Sequence, residues 1–459
     1  MEKTEIRRLL APGNRVHLIG VGGVSMSALA EVLQRRGLIV TGSDRCQRQA
    51  LERLTEIGLR IAMGERPSLI AGCAAVIRTA AAKDDNPEVI ETRRLNLPLL
   101  ERAEAWGALM LEYESAVCIA GTHGKTTTTG MLAHITIGAG LDPTIMLGGH
   151  LPLLGAGHRV GRGNTIILES CEYCNSFHHF SPNVAVLLNI EPDHMDFFTG
   201  LEDILKSFRT FAGSVGNGGF LIGNGDDENV RSVLEGFSSV IWFGTEDSAD
   251  ITLEDVKIID GCWQFRVVSK GSYYAEVFLK VPGRHNALNA LAAAAVGYAL
   301  GLPGKEVGEG ISCFTGVSRR MEYVGQINGA DIYDDYAHHP TEIKAALETV
   351  RSMGKKRVIC AFQPHTYTRT KTFFNDFVDI LSVCDKLYLS EIYAARELNP
   401  GDISSDMLAE KIPGAQSFND FDALADAIRR EAGAGDIILT AGAGDINKVA
   451  QMLSETYRS

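Results

Sequence analysis

No segment of this sequence is both long and apolar enough to span a bilayer. The most apolar run, residues 287–302, is alanine-rich and interrupted by Asn289 and Gly297. It falls short of the roughly 20 residues a spanning helix needs, and reads as a buried core helix. The N-terminus lacks the apolar stretch of a secretory signal. Basic excess is also missing: 44 Lys and Arg face 57 Asp and Glu, for a net charge of -13. That balance argues against a sequence-independent nucleic-acid binder, which needs cations to displace counterions. Phosphate ligands are a separate matter, because a few local donors and a metal hold them. Low-complexity tracts and tandem repeats are absent. The nine cysteines are odd in number and scattered from Cys46 to Cys384, which reads as reduced thiols of a cytoplasmic protein. Cys171 and Cys174 form a C-x-x-C within "LESCEYCNSF". No second such pair completes a zinc site; a redox pair at a helix start stays open.

What is present is an ordinary globular balance, 45% hydrophobic and 22% charged over 459 residues, enough for about three domains. Apolar strand runs alternate with helical patterns throughout. The pattern predicts α/β architecture with parallel sheets and helices on both faces. In the first segment, strand Val16–Ile19 meets glycines 20, 22 and 23. A helix patterned on Met26, Leu29, Ala30 and Leu33 follows, then a second strand ending Gly42-Ser43-Asp44. A second segment begins near Glu114 with strand "SAVCIA" and adds "NTIILE" and "NVAVLLNIE". Its short β runs over 239–281 read as an antiparallel addition before a helix from about His285. A third segment from about Met321 carries strands "ADIYDDY", "RVICAF", "KLYLSEI" and "DIILTAG". The expected domains are 1–113, 114–320 and 321–459: Rossmann-like, P-loop-type with the antiparallel addition, and Rossmann-like.

The strongest chemical signal is "AGTHGKTTTTG", residues 120–130. A strand delivers Gly121, Thr122 and His123; Gly124 lets backbone N–H groups close around phosphate oxygens. Lys125 adds a cation for the β and γ phosphates, and Thr126 offers a hydroxyl to Mg²⁺. Thr127 continues into the helix. The strict G-x-x-x-x-G-K-[ST] spacing is not met, since its first glycine would fall at Ile119. A triphosphate site also needs acids, and in open α/β sheets these sit at carboxyl ends of strands. Glu169 ends one strand; Glu191, Asp193, His194 and Asp196 follow another. Thr126, Glu169 and His194 form the candidate metal set, for Mg²⁺ with Mn²⁺ as a substitute.

Gly20-Val21-Gly22-Gly23-Val24-Ser25 approximates a dinucleotide fingerprint with serine for its last glycine, and Asp44 stands where a ribose-binding acid is expected. A nicotinamide-dependent dehydrogenase is therefore the rival reading, although no hydride-transfer chemistry is visible elsewhere. A nucleotide-dependent switch without turnover is a further alternative.

From end to end the chain resembles the Mur ligases of bacterial peptidoglycan synthesis. The matching stretches include "GVGGVSMSALAE", "GTHGKTTTT", "NIEPDHMDFF", "GRHNALNALAA", "GVSRRMEYVG", "DDYAHHPTEI", "FQPHTYTRT" and "AGAGDI". "YAHHPTE" with "FQPHTYTR" is similar to the alanine-adding branch; a sister ligase that attaches a peptide is the near alternative. The resemblance implies a UDP-sugar domain, an ATP domain and an amino-acid domain. The implied substrates are UDP-N-acetylmuramate and L-alanine, the protein being a monomer or homodimer. It implies phosphorylation of the muramoyl carboxylate and attack of the alanine amine on the acyl phosphate. Lys125, His194, Arg320 and His339 become candidate catalytic residues. Arg319 or Arg320 would reach the triphosphate, and His285, Asn286 and Asn289 the adenosine. The Gly20–Gly23 loop with Val21, Gly22, Ser25, Ser43, Asp44, Thr79 and Glu172 would face the UDP-sugar. Asp335, His338, His339 and Arg369 would serve the amino acid and acyl transfer.

Two departures stand out. Several sister ligases carry a carbamylated lysine after "DHMD"; here Phe208 holds that register and Lys206 lies outside it, so no such lysine is expected. Many alanine-adding enzymes read E-A-D-E-S-D where this chain has E-S-C-E-Y-C. Two acids thus become Cys171 and Cys174, beside Glu169 and Glu172.

Overall fold

The computed structural model describes residues 1–47, 49–259, 261–395 and 397–455, which form three sheets. The first holds strands Arg15–Ile19, Ile39–Asp44, Arg60–Met63, Ala75–Arg78 and Leu99–Glu101, in the spatial order third, second, first, fourth, fifth. Every pairing is parallel. The order reverses between the first and fourth strands. The crevice where a ligand is expected therefore opens at Gly20–Gly23, immediately after the first strand.

The second sheet has ten strands. Ser115–Ala120 lies inside it, between Val184–Leu187 and Thr165–Glu169, parallel to both. The phosphate loop therefore leaves the centre of a parallel sheet at its carboxyl edge. Two expectations need correction. Val240–Phe243 pairs parallel with Phe220–Asn224, so the antiparallel addition begins only at Ile251–Ile259 and continues through Cys262–Ser269 and Ser272–Pro282. The strand read as "NVAVLLNIE" ends at Leu187; Asn189–Asp196 forms a loop, which frees its side chains for the site. A hairpin, Thr144–Leu151 with Ala156–Arg159, extends the opposite edge.

The third sheet has six strands. Its edge strand Glu322–Ile327 runs antiparallel to Ala330–Asp335. That strand lacks a clean period of two, because Tyr323, Val324 and Gly325 disturb the alternation at a register shift.

Packing explains how the three parts are held. One buried apolar cluster runs from the first sheet through Trp106, Phe177, Phe180, Phe208 and Phe211 to one face of the second. Burying each of these large side chains contributes about 1.5–3 kcal/mol. Gly107 is required in this seam, since a Cβ there would lie 1.8 Å from the His179 carbonyl oxygen. Polar ties reinforce it: the Lys3 ammonium donates to the Phe180 carbonyl at 2.9 Å, and Glu31 lies 2.9 Å from His158 Nε2. The alanine-rich helix Arg284–Ala299 covers the other face, with Ala290 and Ala292–Ala295 fully buried. No described helix is long and apolar enough to cross a membrane. The third part has its own apolar clusters and meets the second through charged and polar groups such as His123 with Glu342 and Arg369 with Asp193.

Candidate active site

The phosphate loop is built by its glycines. Gly121 takes φ +142°, and a Cβ would meet Leu188 Cβ at 2.9 Å. Gly124 takes φ +83°, where a Cβ would sit 2.4 Å from Asn289 Oδ1. The His123 N–H donates to Asn189 Oδ1 at 2.7 Å, and the Glu191 N–H to the Thr122 hydroxyl at 2.9 Å. Lys125 opens the helix Lys125–Gly138 and folds back over the loop. Its ammonium donates to the carbonyls of Gly121 (2.5 Å) and Thr122 (3.0 Å) and to Glu172 (3.2 Å). Burial works against its charge, but Glu172 more than compensates, and the pKa is raised. Glu172, expected beside the UDP-sugar, is thus placed against Lys125, with His194 Nε2 3.8 Å away.

Thr126, Glu169 and His194 line one polar cavity of about 180 Å³ together with Lys125, Asp193, Arg320, His338 and Glu342. Glu169 Oε2 accepts from the Gly148 N–H at 2.6 Å, which orients the carboxylate. His194 adopts φ +54°, strained for a non-glycine residue and often seen at functional positions. Its ring stacks at a tilt on Tyr173, centroids 4.8 Å apart. A hydroxyl, a carboxylate and an imidazole facing one polar cavity suit a hard divalent cation.

A second, larger cavity of about 370 Å³ adjoins the first. His285, Asn286 and Asn289 line it with Leu188, Phe243 and Leu288, an apolar slot with polar margins. Burial, with Arg320 nearby, pushes His285 down to about 4, so its imidazole is neutral. Asn289 Nδ2 donates to Asn286 Oδ1 at 3.2 Å, and Asn286 Nδ2 to the Pro282 carbonyl at 2.7 Å. The two asparagines therefore brace one another while facing the cavity.

The two adjacent arginines separate. Arg319 donates to Asp334 (3.1 Å) and to the carbonyls of Gly442 (2.6 Å) and Gly444 (2.9 Å). It anchors the third part and lines neither cavity, so of the two arginines expected at the triphosphate Arg320 is the one the cavities include. Arg320 lines both cavities and lies 3.7 Å from Glu342. Asp335 shares that region: burial raises its carboxyl to about 6, against the pull of Arg320. It accepts from the N–H groups of Met321 and Ala337, both at 2.7 Å, and lines the larger cavity.

Glu342, missed in the sequence, is the hub. Burial pushes its carboxyl up, but His338, His123 and Arg320 around it hold it well below its usual value; with His338 neutral, the His123 imidazolium and the Arg320 guanidinium are the charges beside it at neutral pH. Its oxygens meet His123 Nδ1 at 3.1 Å and the N–H groups of His338 and His339 at 3.1 and 3.3 Å. The signal was legible as a capping box spanning "HPTE". His339 is that cap. Its Nδ1 accepts from the Thr341 N–H at 3.4 Å, and its Nε2 lies 3.1 Å from the Pro192 carbonyl. Both His339 nitrogens are used, whereas the sequence leaves open which of the two histidines meets the amine. Burial pushes His338 down to about 4. Its Nδ1 lies 2.9 Å from the Tyr336 carbonyl, so Nδ1 carries the hydrogen and Nε2 is left as the acceptor.

His123, Glu191 and His339 offer ligand atoms within 4.8 Å of one another. The committed nitrogens of His339 make this an ion cluster rather than a metal site. Burial opposes charge on His123, but Glu342 and Glu191 raise its pKa to about 9. The imidazolium ties the second part to the third. A histidine raised in the folded state stabilises fully below its unfolded value near 6.5, and the gain is lost as pH rises through about 9. Melting temperature is therefore expected to fall across pH 6.5–9, and His123→Gln to flatten that slope; an unchanged slope refutes the assignment.

Arg369, expected at the amino-acid side, donates to Asp193 Oδ1 at 2.7 Å across the same boundary. The first-part loop is similarly self-engaged. Asp44 accepts from the N–H groups of Gly22 (2.8 Å) and Cys46 (3.0 Å), one on each carboxylate oxygen. The Ser43 hydroxyl donates to Glu88 at 2.7 Å, Ser25 accepts from Trp106 Nε1 at 3.1 Å, and Val21 is fully buried. Thr79 Cγ2 closes over Gly20. These residues shape the loop, and its backbone faces the crevice.

The cysteine pair has a plain reading. Burial, reinforced by Glu172, pushes the Cys171 thiol up to about 12, and Cys174 takes φ +55° on the surface. A raised thiol is the opposite of what a redox nucleophile at Cys171 would need. Iodoacetamide at neutral pH is expected to label Cys174 and spare Cys171 in peptide mass spectra; the reverse order would contradict this.

Three domain families match the chain in register with its sheets: the Mur ligase family catalytic domain at 15–114, the Mur ligase middle domain at 119–297, and the Mur ligase glutamate ligase domain at 319–444. A relative from Caldicellulosiruptor saccharolyticus, named UDP-N-acetylmuramate–L-alanine ligase, is 42% identical over 96% of this chain and 98% of its own. The chain belongs to the Mur ligase family. It is an enzyme, an ATP-dependent ligase. The crystal structure of the UDP-N-acetylmuramate–alanine ligase of Thermotoga maritima superposes with a TM-score of 0.80 at 27% identity, covering 97% of this chain and 99% of that one. The murein peptide ligase of Psychrobacter arcticus, at 24% identity and a TM-score of 0.72 over 96% and 98% of the two chains, shares the fold.

Proposed function

We propose that the protein joins L-alanine to the muramoyl carboxylate of UDP-N-acetylmuramate with ATP, in the cytoplasm. The observation that carries the reading is the convergence of Lys125, Arg320 and His338 on one cavity shared with Glu169 and His194. The first part, 1–113, takes the sugar nucleotide at the Gly20–Gly23 crevice. The second, 114–320, takes ATP, with adenosine in the cavity lined by His285 and Asn289. The third, 321–459, brings the amino acid. A peptide-adding sister activity is less well supported, because the full-length relatives at about 40% identity carry the alanine ligase name.

A muramoyl carboxylate oxygen attacks the γ-phosphorus and ADP leaves. Two anions must approach, so cations have to stand beside them. Lys125 is already fixed on the loop, and Arg320 arrives from the hinge. Thr126, Glu169 and His194 would hold Mg²⁺, whose charge would neutralise phosphate oxygens. The alanine ammonium first gives up one proton, which neutral His338 is placed to accept through Nε2. The free amine attacks the acyl carbon, the C–O bond to phosphate breaks, and inorganic phosphate leaves with the second nitrogen proton. Contacts of the third part over the site exclude water, which would otherwise consume the acyl phosphate.

The test is phosphate release from ATP with each substrate omitted in turn. Release should require UDP-N-acetylmuramate and amino acid together, with alanine ahead of other amino acids. Release without amino acid, or no preference for alanine, ends the reading.

A further inference from the structure

We propose that the ring of Tyr173 positions His194 for metal binding, an inference that rests on the reading above of His194 as a ligand. A metal-bound histidine normally donates its second ring N–H to a carboxylate or a carbonyl, which fixes the plane of the ring. His194 has no such tie. Glu172 and Asp193 approach its Nε2 to only 3.8 and 3.9 Å, beyond hydrogen-bond reach. Among the described residues, none forms a hydrogen bond with either ring nitrogen; His194 donates through its backbone N–H, to Asp193 Oδ1 at 2.7 Å. A backbone at φ +54° sets where the side chain departs, not how its ring is turned. The aromatic group packed on that ring is Tyr173, with centroids 4.8 Å apart and planes at 42°.

Tyr173 stands on a fixed base. It follows Glu172, which is buried and paired with Lys125 at 3.2 Å. Four residues on, Phe177 is fully buried and stacks on Phe211, centroids 4.5 Å apart. Between them Cys174 and Asn175 take φ +55° and +52°, and Asn175 Oδ1 accepts from the Ser207 hydroxyl at 2.5 Å. The Ser176 hydroxyl closes this turn by donating to the Tyr173 carbonyl at 2.9 Å. From that base the phenol reaches the loop that carries His194. Its hydroxyl donates to Asp196 Oδ2 at 2.9 Å, and its ring meets Phe197 edge-on, centroids 6.0 Å apart. Tyr173 therefore grips the loop at 194, 196 and 197, and its ring is itself held at both ends. A ligand whose rotamer is locked by packing binds without first being ordered, which is the gain of a supporting shell. Here an aromatic face supplies what a hydrogen bond supplies to most metal-bound histidines.

The experiment is a titration of the full-length protein, saturated with β,γ-imido-ATP, with Mn²⁺, followed by electron paramagnetic resonance. The wild type is compared with Tyr173→Phe, Tyr173→Ala and His194→Ala. Tyr173→Ala should weaken Mn²⁺ by about 10- to 100-fold, the range for losing an outer partner of a metal ligand. Tyr173→Phe keeps the ring and should recover most of that loss. Spin-echo modulation from the imidazole nitrogen should be present in the wild type and Tyr173→Phe and absent in His194→Ala. Calorimetric affinity for UDP-N-acetylmuramate without metal should be unchanged in both Tyr173 variants, as an effect through His194 requires and general loosening does not. Wild-type Mn²⁺ affinity in Tyr173→Ala overturns the assignment. So does an equal loss in Tyr173→Phe and Tyr173→Ala, because the hydroxyl tether to Asp196, not the ring, would then hold the loop. A parallel loss of UDP-N-acetylmuramate affinity overturns it too, since that marks a packing residue. Failure of the underlying metal reading looks different: His194→Ala would itself bind Mn²⁺ as the wild type does, and the positioning role would fall with it.

Discussion

Lys125→Ala is expected to slow phosphate release by at least about 10³-fold, the upper range for losing one preorganised donor at a developing anion. The ammonium is held on the loop at 2.5 and 3.0 Å by the carbonyls of Gly121 and Thr122. The substitution also strands Glu172, which is 3% exposed and whose ion pair with Lys125 is 3.2 Å long. Leaving a buried carboxylate unpaired costs stability, about 3–5 kcal/mol for such pairs. The single variant should therefore melt earlier as well as turn over slowly. The double variant Lys125→Ala, Glu172→Gln separates the two effects. It removes the stranded charge, so the melting temperature should recover while turnover stays lost. If turnover recovers with stability, Lys125 is a structural cation and its chemical role falls.

The same contrast between contact and chemistry decides what was legible in the sequence. Gly121, Gly124 and Lys125 could be read because a strand, a φ-positive turn and a helix start must occur in that order. Glu169 followed from a strand end; His194, read the same way, lies in the loop after Leu187, and one cavity brings the two together. The contacts across the second and third parts were not readable, because they join positions far apart in the chain. His123 with Glu342 is 219 residues apart, and Arg369 with Asp193 is 176. No local pattern records which of two adjacent arginines turns outward; φ +62° at Arg319 and the carbonyls of Gly442 and Gly444 decide it. The adjacent histidines split the same way. His339 caps a helix, which frees His338, and only the register of the capping box distinguishes them. At Val240–Phe243 the sequence resembles its antiparallel successors, and the neighbour it pairs with settles the direction.

Those cross-boundary contacts have a chemical consequence, which Arg369→Ala is expected to expose. Arg369 and Asp193 have side chains 10% and 11% exposed and meet at 2.7 Å. Burial pushes the Asp193 carboxyl up, but Arg369 holds it well below the usual carboxylate range, so the pair is charged throughout the working pH range. Removing the guanidinium leaves a buried carboxylate that regains water most cheaply if the third part swings away. An opened site still binds ATP on the second part and can still phosphorylate the muramoyl carboxylate, but water now reaches the acyl phosphate. We expect amide formation to fall by about 10²-fold, the scale of a small misplacement of reacting groups. Phosphate released per amide formed should rise above one as hydrolysis competes. Small-angle scattering should show a larger radius of gyration for the nucleotide-bound variant than for the wild type. Asp193→Asn combined with Arg369→Ala should close the protein part-way and lower the excess phosphate, since no stranded charge then drives opening. If Arg369→Ala is slow yet yields one phosphate per amide, the arginine acts on the amino acid directly and the clasp is incidental.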